Sequence, residues 1–116
     1  MNKFLLGLLL AATLALAVHA QPACDDVFTE RKASLEEGGA TVKQTSGDAQ
    51  AALLAFYRDQ AGDKAEAVDT VWVAAGNAKF ITIMVRNDCI VAHSTPVSAA
   101  GLENTLNAGR KLRASE

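Results

Sequence analysis

The sequence predicts an α+β domain, and three observations predict it. Three β-branched runs follow one another between residues 67 and 95, parted by pairs of residues that suit tight turns. Three other segments repeat apolar residues at helical spacing. Two cysteines, Cys24 and Cys89, lie behind an apolar N-terminal run and are positioned to pair in an exported chain. The expected architecture is a three-stranded antiparallel β-meander, with a fourth edge strand as an option, packed with three helices and tied by one disulfide.

The N-terminal run reads as a secretory signal peptide. Met1, Asn2 and Lys3 form a short positive start, and Phe4–Val18 is fifteen apolar or small residues. Val18-His19-Ala20 then places compact residues where a signal peptidase reads, so cleavage is expected before Gln21. A retained anchor would need about 20 apolar residues, and no Lys or Arg cluster follows to stop transfer. A lipidated Cys24 fits poorly as well, because Gln21 stands where an aliphatic residue is wanted. Residues 1–20 are therefore the leader and residues 21–116 a single domain, periplasmic or secreted, with no stable membrane anchor after cleavage.

The remaining 96 residues suit one domain with a small core. Losing Lys3 leaves ten Lys and Arg against thirteen Asp and Glu, a net charge of about −3 with His neutral. That balance is no nucleic-acid footprint. The one basic cluster, Arg110, Lys111 and Arg113, reads as a complement to a helix C-terminus. Pairing Cys24 with Cys89 closes a loop of about 65 residues, which the chain-entropy view values at roughly 4 kcal/mol. Domain stability is only about 5–15 kcal/mol, so the bridge is a large share of it.

Asp25 or Asp26 is the expected cap of a first helix running to about Glu37, with Val27, Phe28, Arg31 and Leu35 at helical spacing. Gly38-Gly39 ends it. Thr41–Thr45 is a short β-prone run, an edge strand or an extended loop. Asp48 is the expected cap of a helix over Ala49–Ala61, whose stripe is Ala52, Leu53, Phe56 and Tyr57. Gly62 stops it, and Asp63–Glu66 is a charged connection.

Strands are expected over Ala67–Ala74, Lys79–Arg86 and Cys89–Thr95, with turns at Gly76-Asn77 and Asn87-Asp88. Two-residue loops place Val85 opposite Ile90, Ile83 opposite Ala92, and Ile81 opposite Trp72 and Ser94. One face then carries Val68, Trp72, Ile81, Ile83, Val85, Ile90 and Ala92, the expected seat of the helices. The reverse face is mixed: Asp69, Arg86 and Cys89 share it with Val71, Val73, Phe80, Thr82, Met84, Val91 and His93, and its five large apolar residues break the clean polar alternation of a wet face. It is the candidate interaction face, covered either by a partner or by the first helix, which a bridge to Cys89 would draw to that side. Pro96 closes the last strand, and Ser98 caps a final helix over about Ala99–Leu112. Gly101 and Gly109 weaken that helix by about 1 kcal/mol each relative to Ala.

Little in the chain carries chemistry. His93 is the one histidine after residue 20, with Ser94 and Thr95 beside it. Neighbouring strand residues face opposite ways, so His93 and Ser94 make a poor nucleophile and base. Paired cysteines have no redox or thiolate–metal role, and neither Asp25-Asp26 nor Asp63–Glu66 has an EF-hand pattern. No cofactor is expected. The leading expectation is a small exported, disulfide-stabilised binding protein without catalysis, its partner a protein or a second copy of itself. The alternatives are an inhibitor or immunity-type protein acting on an envelope enzyme, and a small hydrolase centred on His93.

The leader yields a direct prediction. N-terminal sequencing of the protein recovered after export should begin at Gln21, and recovery of a chain still carrying Met1–Ala20 would contradict the reading.

Overall fold

The computed structural model of the protein describes residues 24–62 and 68–115. The expected leader, the charged connection Asp63–Glu66 and the first residue of the expected strand at Ala67 lie outside the described residues.

The chain forms α1 (Phe28–Glu37), β1 (Thr41–Gln44), α2 (Gly47–Ala61), β2 (Thr70–Gly76), β3 (Lys79–Arg86), β4 (Cys89–His93) and α3 (Ala99–Ala114). The strands make one antiparallel sheet in the order β1-β2-β3-β4. The α+β class, the three helices, the meander and the optional edge strand are all present. Among the described residues no helix is long and apolar enough to cross a membrane.

Both hairpins turn on two residues at positive φ, the pattern of type I′. Asn87 and Asp88 form the β3–β4 turn at φ 50° and 63°. The β2–β3 turn is Asn77-Ala78, at φ 52° and 59°, one residue later than the expected Gly76-Asn77. Moving the turn by one residue moves the pairing by two, so Trp72 faces Ile83 rather than Ile81. A two-residue shift preserves which side chains share a face, and Trp72, Ile81, Ile83 and Val85 stay together.

A β-bulge changes the faces of β4. Val85 pairs with Ile90 as expected, but Met84 then pairs with Ala92 and Ile83 with His93. The extra residue, Val91, flips everything after it. Ala92 moves off the Trp72 face and packs among Val71 and Met84. His93 moves the other way, so its neighbour across the ladder is Ile83 and not Thr82. Val68 lies outside β2 and also packs with the Val71 and Met84 group, contrary to its expected place opposite Val85.

The core divides into two clusters, one on each side of the sheet. On one side Phe28 is buried with Val42, Ala74, Ile83 and Val85 beneath α1. Its ring centroid lies 4.7 Å from that of Trp72. On the other side Leu53, Val71 and Met84 are buried beneath α2 and α3, with Tyr57, Leu102 and Leu106 packed around them.

The expectation that the first helix covers the Val71 face is therefore corrected. Cys24 and Cys89 do form the disulfide, with Cα atoms 6.1 Å apart. Residues 26–28, however, run beside β4 as a short extra strand. Ile90 N donates to the Asp26 carbonyl, Phe28 N donates to the Asp88 carbonyl, and Val27 pairs with Cys89. Directly opposed residues share a face and successive residues alternate. Val27 thus stays on the Cys89 side, and Phe28 carries α1 to the other.

The caps also differ from expectation. Neither Asp25 nor Asp26 caps α1; its N-cap is Val27, with no side-chain bond of its own. Asp88 supplies the cap from the β3–β4 turn, its Oδ1 accepting from Thr29 N at 3.0 Å and from Thr29 Oγ1 at 2.7 Å. The N-cap of α2 is Ser46 rather than Asp48. Ser98 caps α3 as expected, its Oγ accepting from Gly101 N at 3.1 Å.

Asp48 instead accepts from Arg110 Nε at 2.8 Å and from Arg113 Nη1 at 3.3 Å. The start of α2 is thereby linked to the end of α3, so two members of the basic cluster do more than solvate a terminus. The hydrogen bond to Asp48 holds the Arg110 guanidinium above its ordinary pKa.

Gly109 is where α2 and α3 cross. A Cβ there would lie 1.9 Å from the carbonyl oxygen of Ala52, a residue with no exposed surface. The glycine that weakens α3 as an isolated helix is what permits its packing.

Two substitutions follow from these contacts. Gly109→Ala gains about 1 kcal/mol of helix propensity but drives a methyl group into backbone. It should destabilise the fold by roughly 2–3 kcal/mol and lower the melting temperature by about 10–20 °C. A raised melting temperature would show that the helices do not cross there. Ala78→Gly removes the cost of a left-handed alanine and should stabilise by about 0.5–1 kcal/mol, read as a higher urea midpoint with unchanged slope.

Candidate functional site

The sequence placed the candidate face on Val71, Val73, Phe80, Thr82, Met84, Val91 and His93, and the structure keeps all of these but His93 on one side of the sheet while covering much of that side. Val71, Thr82 and Met84 are buried at 0%, 2% and 1% exposure. The cover is the chain's own α2 and α3, neither the first helix nor a partner. Val91 packs half-buried in the same cluster. Val73 and Phe80 remain half-buried toward β1, beside Thr41, Lys43 and Ala75. His93 is exposed, with its ladder partner on the α1 side.

The open apolar surface is on the α1 side instead. A ten-residue helix cannot roof a four-stranded sheet, and α1 lies closest to β1. The strip beside it over β3 and β4 is left half-covered, and Ile81 and Ile90 are half-buried there although both pack against the core.

Two openings flank Leu35 and Ile81. The larger is a cleft of about 380 Å³ between the end of α1 and the β2–β3 hairpin, with Ser34, Asn77 and Lys79 as its polar lining. The smaller, of about 80 Å³, reaches Ile83, Ile90 and His93, with Asp26 and Arg31 at its rim. Arg31 pairs with Asp26 at 3.3 Å. The result is a shallow apolar groove with polar groups at both ends. Such a surface holds an apolar segment by burial and orients it by hydrogen bonds at its ends.

The groove contains no assembled catalytic set. His93 Nδ1 lies 3.0 Å from the Ser94 carbonyl oxygen. The Ser94 hydroxyl is turned away, accepting from Thr82 N at 2.9 Å. A nucleophile needs a base within reach and the base needs an orienting acid; among the described residues no carboxylate bonds to His93. Nor do three His, Cys, Asp or Glu side chains gather as metal ligands among the described residues.

Sequence reasoning missed the groove because it needed the position of α1. The signal available was the length of the first helix, too short and too polar to cover the face it was free to join. The fold and site define a small α+β domain with helices on both sides of a four-stranded antiparallel sheet, stapled at one edge by a disulfide. No family model matches the chain, and no curated protein or solved structure is similar to it at a level that counts as a match.

Proposed function

We propose that this chain is exported, cut after Ala20, and acts as a disulfide-stabilised binding protein without catalysis. The leader pattern and the Cys24–Cys89 bridge support an oxidising compartment such as the periplasm. The observation that carries the binding role is the apolar strip beside α1, where Ile81 and Ile90 stay partly open between two polar rims. An apolar surface bordered by polar groups is what an interaction site looks like. The partner is a protein, or a second copy of the chain, that inserts an apolar segment over Ile81. The hydrolase reading lacks comparable support, because the nearest hydroxyl to His93 in sequence is committed to the backbone.

Affinity capture from the organism's envelope extract tests this proposal. The oxidised protein should retain a partner that a Lys79→Glu, Ile81→Thr double variant retains at least about tenfold less, a difference of roughly 1.4 kcal/mol. Far-UV circular dichroism should show both proteins folded. Sedimentation at two concentrations covers the case of a second copy. A monomer that captures nothing, or a variant that captures equally well, would overturn the binding role.

A further inference from the structure

We infer that α1 is a lid on the sheet, latched by the Cys24–Cys89 disulfide at one end and hinged at Gly38-Gly39 at the other, so that reduction opens it while the rest of the domain stays folded. The latch does not depend on what the groove binds.

Four observations point to it. First, the two core clusters share no buried residue, and the Leu53, Val71 and Met84 cluster is closed by α2 and α3 without help from α1. Second, α1 has only ten residues and buries only Phe28. A helix so short is marginal in water by itself, and regions with few buried apolar contacts are the ones that open locally. Third, the ties at its start converge on one place. The Val27 pairing, the Asp88 cap and the disulfide all attach to residues 88 and 89. Fourth, the far end is built to swing. Gly39 sits at φ 98°, and a Cβ placed on it would meet nothing within 4 Å.

Opening requires a reductant, and a dithiol supplies it. One dithiol thiolate attacks Cys24 Sγ, the Cys24–Cys89 bond breaks, and Cys89 leaves as a thiolate. The second thiolate attacks the dithiol's own sulfur in the mixed disulfide and releases Cys24. Two electrons pass to the protein, the dithiol ends as a disulfide, and its two protons end on the cysteines. The bridge no longer closes the stretch of roughly fifteen residues between Cys24 and the glycine hinge, and freeing a loop of that length favours the open lid by about 100-fold. Opening removes Phe28 from Trp72 and bares Ile83 and Val85.

Amide hydrogen exchange on the full-length protein, oxidised and after dithiothreitol, tests the latch. On reduction the amides of Arg31–Leu35 should lose protection by about 100-fold. They should also become at least tenfold less protected than those of Leu53, Val71 and Met84. The emission of Trp72, the one tryptophan of the chain, should move to the red with dithiothreitol and return on reoxidation. Unchanged protection in α1, unchanged emission, or loss of protection everywhere at once would each overturn the inference. The last outcome would mean that lid and core are one cooperative unit.

Discussion

The structure depends on how residues 24–29 are held against the β3–β4 hairpin. A disulfide, a pair of ladder hydrogen bonds and a remote helix cap meet within two residues of that turn. The hydrogen bonds and the cap are each modest beside the disulfide. Together they set the side of the sheet on which α1 lies, because the chain must pass along the β4 edge before the helix begins. The same segment covers the start of that edge, at Cys89 and Ile90, where the backbone would otherwise be open to another chain. The opposite edge, β1, has no such cover among the described residues and carries the exposed Lys43, a residue type that discourages strand addition.

With α1 confined to one face, the other had to be closed differently, and α2 and α3 close it. Their crossing is intimate because Gly109 presents no side chain to Ala52. The two faces are unequal as a result. Two long helices bury Val71, Thr82 and Met84 almost completely, whereas one short helix leaves Ile81 and Ile90 half-covered. The groove proposed as a binding surface is the direct consequence of that inequality. So is the separability of α1, since the cluster beneath α2 and α3 is complete without it.

The elements were legible in the sequence because their signals are local. The β-branched runs, Asn87-Asp88, Gly38-Gly39 and Ser98 each act within a few residues, and each does what its chemistry implies. Capping of α1 was not legible, since the acceptor lies 59 residues away in a turn where Asp88 looked like a turn residue only. The bulge at Val91 was not legible either. Nothing in Ile90-Val91-Ala92 marks an extra residue, and a single insertion transfers His93 from one face to the other. What covers the candidate face was hidden for the same reason. The face was sound as a list of apolar side chains sharing a side, but which helices cover a face is a question of packing between elements distant in sequence.

By itself the sequence determined the α+β class, the meander and the pairing of the two cysteines. Periodicity, turn chemistry and residue count settle such matters without reference to distant parts of the chain. Only the tertiary structure decided that α1 and the disulfide occupy opposite sides of the sheet, that Gly109 is a contact rather than a weakness, and that the open apolar surface lies beside Ile81. Those outcomes turn on a one-residue alternation along the β4 edge and on the approach of two helices to van der Waals contact, and no local pattern encodes either.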